Sequence, residues 1–188
     1  MNATAPDLGA TLSAGWEIYK KEPLLLSGAT LLMAVINAVA SWIPFANLLT
    51  STPLLAGMYF MVMRIDRGES VDISVLFKGF NHLVPLVISA VLVGLFVAIG
   101  IFLLVLPGIY LALAYGFTTL KIIDGGLDFW PAMESSRKLI NTVFMQYLVL
   151  SLLLLLICFL GMIPFGLGLL VAIPVAVAAH YRFYNAIT

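Results

Sequence analysis

Apolar positions run without a single Asp, Glu, Lys or Arg through residues 23–63, 79–120 and 139–181, stretches of 41, 42 and 43 residues. One helical crossing of a ~30 Å hydrocarbon layer takes about 20 residues at about 1.5 Å each. Each stretch therefore has the length of two crossings and a tight turn. Helix breakers sit near each midpoint: Trp42-Ile43-Pro44-Phe45-Ala46-Asn47 with Thr50-Ser51-Thr52-Pro53, then Leu106-Pro107-Gly108, then Gly161-Met162-Ile163-Pro164-Phe165-Gly166. Proline lacks a backbone donor and clashes with the preceding helical turn. At any one site a kink within a long helix competes with a turn, but three mid-stretch prolines in three double-length stretches favour hairpins. The pattern predicts six spans, at about 24–43, 49–65, 84–105, 107–123, 145–162 and 166–184.

A short amphipathic segment precedes each apolar stretch. In the first, Leu8, Leu12, Gly15/Trp16 and Tyr19 recur at helical spacing against Asp7, Ser13, Glu17, Lys20 and Lys21. In the second, Asp72 can cap a turn with Ile73, Leu76/Phe77 and Phe80 opposite Ser74, Lys78 and Asn81. In the third, Asp128 can cap a helix with Phe129, Met133, Ile140 and Phe144 opposite Glu134, Arg137, Lys138 and Asn141. The unit of interfacial helix, span, proline turn and span thus occurs three times, over 7–68, 72–126 and 128–188, within one membrane domain of residues 1–188. Each unit crosses twice, so symmetry among them would be about the membrane normal. Residue identity between units is poor, and alternating apolar and polar blocks are common to all multi-spanning chains, so repetition stands as one of two readings.

The fold class expected is all-α: a polytopic helical bundle of six transmembrane helices arranged as three hairpins, with short cytoplasmic amphipathic helices. Composition agrees, being 63% hydrophobic and 10% charged where soluble domains carry roughly 25% charged residues. So little polar surface excludes a soluble enzyme, a disordered chain and a disulfide-built secreted domain. The nine basic and nine acidic residues cancel, and every Lys and Arg falls on one predicted side. The positive-inside bias assigns that side, with both termini, to the cytoplasm. No basic region, short apolar core and small-residue cleavage site opens the chain, so no cleaved signal peptide is expected.

Small residues recur at four-residue spacing in Ala90/Gly94/Ala98, Gly108/Ala112/Gly116 and Ala172/Ala176, which predicts close helix packing, within the chain in preference to between chains. Trp16, Tyr19, Trp42, Tyr59, Phe60, Trp130, Tyr147, Tyr181, Phe183 and Tyr184 fall near the predicted interfaces and read as an anchoring belt, with a recognition surface as the alternative.

Chemistry is sparse. The predicted span interiors hold no Asp, Glu, Lys or Arg, the groups that ordinarily mark transport or proton relay. His82 and His180 lack carboxylate or cysteine partners in sequence, so no metal site is expected. Cys158 stands alone among leucines and reads as a small hydrophobe. No Ser/His/Asp set, Gly-x-Ser-x-Gly or phosphate-cradling loop occurs, so neither catalysis nor a cofactor is expected. The polar span residues Asn37, Ser41, Thr118 and Thr119 are candidates either for hydrogen bonds between helices or for lining a small-molecule pocket. Trp16, Lys20, Lys21, Arg64, Arg67, Trp130, Arg137 and Lys138 are candidates for contact with lipid head groups or a partner; topology anchoring is the plainer role of the basic ones.

Leu106-Pro107-Gly108-Ile109-Tyr110, Tyr115, Phe117, Ile123-Asp124-Gly125-Gly126 and Trp130-x-Ala132-x-x-x-Ser136 resemble a broad, mostly uncharacterised group of bacterial six-helix membrane proteins. A related domain accompanies glycerophosphodiester phosphodiesterase catalytic domains. Gly57-Met58-Tyr59, Asp66-Arg67-Gly68-Glu69 and Leu76-Phe77-x-Gly79-Phe80 are similar to that group too, so the resemblance covers about residues 55–140. It implies a bacterial inner-membrane module that works beside another protein or near lipid; without a catalytic domain, no phosphodiesterase activity carries over. Mitochondrial carriers are similar in outline only, since their charged Pro-x-Asp/Glu-x-x-Lys/Arg gates are missing here. The function expected is a non-enzymatic accessory or scaffold subunit of the inner membrane. The alternative is a transporter-like protein handling a lipid or small solute in a pocket between the three hairpins. Expected partners are membrane lipids and a membrane protein or second copy of the chain, with no nucleic acid.

Overall fold

A computed structural model describes residues 7–43 and 45–188, so the turn signal at Pro44 lies outside the described residues. It is an all-helical bundle with six helices long and apolar enough to cross a membrane, and no strand among the described residues. In chain order the elements are α1 (Leu8–Lys21), α2 (Pro23–Ala40), α3 (Ala46–Asp66), a 3₁₀ helix α4 (Ile73–His82), α5 (Leu83–Leu103), α6 (Val105–Ala114), α7 (Thr118–Ile123), α8 (Phe129–Thr142), α9 (Phe144–Met162) and α10 (Leu169–Ile187). The spans are α2, α3, α5, the broken pair α6–α7, α9 and α10. They form the multi-pass array that the three apolar stretches predict.

The short segments α1, α4 and α8 each open on an aspartate whose carboxylate accepts from a following amide: Asp7 from Gly9 at 2.9 Å, Asp72 from Ser74 at 2.7 Å and Asp128 from Phe129 at 2.8 Å. This satisfies a donor that a helix start leaves free. Each segment then lies across the second span of a neighbouring unit: α1 on α10, α4 on α3 and α8 on α7. The spans follow the same order, α2 against α10, α5 against α3 and α9 against α6, so the six-span ring closes.

The turns fall differently from their sequence signals. Thr50–Pro53 lies inside α3, with Pro53 buried, because the hairpin already turns before Ala46. The second hairpin turns at Leu104, whose backbone is extended (φ −161°, ψ 137°). Pro107 therefore occupies the first turn of α6, where a missing N–H costs nothing. Gly108 instead serves close packing: a Cβ on the facing Gly100 would come within 2.8 Å of the Gly108 Cα. The outer two turns share Ile-Pro-Phe, and both Phe45 (φ 65°) and Phe165 (φ 53°) take left-handed backbone with exposed rings.

The small-residue stripes divide. Gly108 and Gly116 are used in contacts, whereas Gly94 is exposed and an added Cβ would meet nothing within 4 Å. The packing role read for Ala90/Gly94/Ala98 therefore does not hold at its centre. The predicted inner face of residues 72–81 also shifts. Val75, Leu76 and Gly79 are the buried positions, while Ile73, Phe77 and Phe80 face outward. The reason is the 3₁₀ geometry, which aligns residues three apart in place of the α-helical spacing.

That geometry makes α4 commensurate with α3. Leu76 and Gly79 lie three residues apart, about 6 Å of 3₁₀ rise at ~2.0 Å per residue. Pro53 and Gly57 lie four apart, about 6 Å of α-helical rise. The structure sets the Leu76 backbone on Gly57 and Gly79 on the Pro53 carbonyl, each too close for a Cβ. Substituting Ala for Gly57 or Gly79 should therefore separate the two backbones and destabilise the fold by about 2–4 kcal/mol, in the range of overpacking and lost core contacts. Gly94→Ala should be neutral or slightly stabilising. Thermal unfolding in detergent reads both, and equal tolerance at all three sites would contradict the packing.

Candidate functional site

The fourth span, the second of its hairpin, is interrupted at Tyr115–Phe117, between α6 and α7. Interrupted helices leave backbone groups unpaired, and at membrane depth water is not there to take them. Ser136, wholly buried on α8, fills this need: its Oγ donates to the Ala114 carbonyl at 2.9 Å and accepts from the Phe117 amide at 3.1 Å. An interfacial helix thus completes a spanning one through a single side chain.

The clamp holds Phe117 at the meeting point of the three hairpins. Its ring lies 4.7 Å from His180, 4.8 Å from Tyr147 and 5.5 Å from Tyr184, centroid to centroid. His180 on α10 is bonded at both ring nitrogens, Nδ1 to Tyr59 Oη at 2.7 Å and Nε2 to Tyr147 Oη at 3.0 Å. A neutral imidazole satisfies both, donating from one nitrogen and accepting at the other. Tyr59, Tyr147, Tyr181, Phe183 and Tyr184 are at most 6% exposed, so they pack the protein interior and not a lipid-facing belt. Trp16, Trp42 and Trp130 remain exposed, as belt residues should. Among the described residues the buried rings fill the junction of the three hairpins around Phe117 and His180.

Of the four polar span candidates, the structure brings together only two. Asn37 donates to the Met33 carbonyl at 3.0 Å and accepts from the Thr50 hydroxyl at 2.9 Å, a hydrogen bond between α2 and α3. Ser41, exposed, donates to the Ala38 carbonyl at 2.6 Å. Thr118 and Thr119 instead line a groove of about 340 Å³ beside the helix break, with Thr52 and Leu55 of α3 and Ser89, Ala90, Val93 and Gly94 of α5. Tyr115 completes the lining, to which no charged side chain contributes. The hydroxyl of Thr118 is buried without a hydrogen-bond partner.

The basic candidates gather at the end where the charged segments meet, but not as one patch. Lys20 pairs with Glu17 at 2.7 Å, Arg64 with Glu69 at 3.8 Å, and Arg137 and Lys138 share Glu134 at 2.8 and 3.4 Å. Hydrogen bonding to Arg137 holds the Glu134 carboxyl below the usual carboxylate range. Lys21 reaches the Ile65 carbonyl at 3.4 Å, and Arg67 is exposed with no ion pair among the described residues. Arg182 joins the last span to the first hairpin through both oxygens of Asp66, at 3.2 and 2.9 Å. Among the described residues no three His, Cys, Asp or Glu side chains cluster as a metal site. The Tyr–His–Tyr bridge and the Ser136 clamp escaped sequence reading, since their members lie up to 121 residues apart.

Comparison with known protein families, with characterised proteins and with solved structures finds no match to this chain.

Tyr147→Phe should lower stability by about 0.6–2 kcal/mol, the range for hydrogen bonds between membrane helices. The double variant with Tyr59→Phe should lose measurably more or less than the sum, because both bonds end on one ring. Denaturant titration of the four proteins checks this, and strict additivity would contradict a shared bridge.

Proposed function

We propose that this chain is a non-enzymatic protein of the bacterial inner membrane, both termini cytoplasmic, acting as an accessory or scaffold subunit for another membrane protein. The observation that carries the reading is the frame of interfacial helices. Because α1, α4 and α8 are each braced across a neighbouring unit, Trp16, Phe77 and Trp130 are held outward on fixed backbone around the charged end. Exposed aromatics on a rigid support suit a protein contact, where Trp is favoured as an anchor and little ordering entropy is lost. The candidate cations support it indirectly, since most are already paired within the chain and so leave the recognition to shape and aromatic area. The resemblance of residues 55–140 to a mostly uncharacterised group of bacterial membrane proteins implies work beside another protein or near lipid, and the first of these agrees with this reading.

Extraction of the full chain from its native membrane into nanodiscs, with cross-linking, should recover a stoichiometric partner or a defined oligomer. Trp16→Ala with Trp130→Ala should weaken that recovery at least tenfold while leaving thermal stability unchanged. Isolated monomers under several mild conditions, from wild-type protein, would contradict the proposal.

A further inference from the structure

Threonine inside a helix ordinarily settles its hydroxyl on the carbonyl four residues back. Thr11 and Thr30 do so here, at 2.9 and 3.0 Å. For Thr118 that residue is Ala114, on the far side of the helix break: the Thr118 amide donates to the Tyr115 carbonyl instead, and the Ala114 carbonyl accepts from Ser136. Thr118 is 4% exposed and its oxygen has no partner, at a depth where water is scarce. A buried unpaired hydroxyl costs about 1–3 kcal/mol, so its presence calls for a partner supplied from outside the chain.

We propose that the groove beside this break binds one acyl ester of a bilayer phospholipid, the ester carbonyl accepting from the Thr118 hydroxyl. Rotation about χ1, for which helical threonine has two accessible wells, exchanges its methyl and hydroxyl and turns the donor into the groove. The volume, about 340 Å³, is some ten times the ~30 Å³ share of one water. Leu55, Ala90, Val93 and Gly94 make much of its wall apolar, which suits a hydrocarbon chain and not a water cluster. An uncharged lining requires that the inserted group be uncharged, and an ester is. Depth agrees as well: Thr118 lies five residues inside Ile123, about 7–8 Å of helix rise below the charged end. A head group level with Lys121 and Asp124 would place its ester beneath them. Gly94, exposed and with open space where a Cβ would stand, leaves the side through which the chain rejoins the bilayer. This inference does not rest on the accessory role, since it is drawn from Thr118 and its groove and not from the exposed tryptophans.

The test uses the full chain, delipidated in detergent, titrated with dioleoylphosphatidylcholine or its ether-linked analogue, which has the same head group and chains but no carbonyls. Thermal shift and native mass spectrometry read binding. The ester lipid should bind about threefold to tenfold more tightly than the ether lipid, the worth of one neutral hydrogen bond. Thr118→Val should erase that preference without lowering the stability of the lipid-free protein, and Thr118→Ser should keep it. Gly94→Leu should weaken both lipids by closing the groove. Equal binding of ester and ether lipids by wild-type protein, or an unchanged preference in Thr118→Val, would overturn the proposal. So would undiminished lipid binding by Gly94→Leu, at a position where an added Cβ meets nothing within 4 Å, once its lipid-free thermal stability is shown to match wild type.

Discussion

A helix broken within a membrane must find partners for the backbone groups it frees, and this constraint organises the protein around residues 114–118. The Ser136 hydroxyl joins the Ala114 carbonyl to the Phe117 amide and so ties α8 to the second hairpin. Phe117 is thereby fixed at the centre, where Tyr147 and His180 of the third hairpin pack on it and Tyr59 of the first joins through His180. Just past the break, Thr118 keeps an unpaired hydroxyl beside an uncharged groove. One side chain on an interfacial helix thus fixes how the hairpins meet, next to the point where the interior has an unmet hydrogen bond.

Around this centre, interfacial segments act as braces. Each crosses the second span of a neighbouring unit, and α1 and α4 do so through glycines. Gly15 of α1 faces the Ala179 backbone, so closely that a Cβ would lie 2.7 Å from its nitrogen. Gly57 and Gly79 let α3 and α4 touch backbone to backbone. In lipid the hydrophobic effect gives helices no net reason to associate, so such close approach and a few hydrogen bonds supply the specificity. Arg182 with Asp66 closes the ring at its charged end. The result is a rigid support for the outward aromatics on which the proposed binding role rests.

The spans were legible because charge is excluded from them: three charge-free stretches of double length leave few alternatives to three hairpins. The caps were legible too, since Asp72 and Asp128 stand immediately before apolar-periodic segments. Helix turns were less so. Pro107 and Pro53 mark no turn, because proline fits the first turn of a helix and is tolerated inside a membrane helix packed by neighbours. The inner face of residues 73–82 was misplaced by one helical geometry being read for another. Of the candidate polar residues, Thr118 and Thr119 do meet in a groove, whereas Asn37 bonds within the first hairpin. Tyr59, Tyr147 and Tyr184 read as belt residues because amphipathic rings near span ends look alike in sequence. Only tertiary contacts show that these enclose His180 or Phe117.

The central dependence on Ser136 can be measured at the amide it holds. Hydrogen exchange of wild-type protein in nanodiscs should show strong protection at Phe117, and Ser136→Ala should accelerate exchange there at least tenfold while amides in the middle of α3 keep theirs. Unaltered protection at Phe117 in the Ser136→Ala protein would contradict the account.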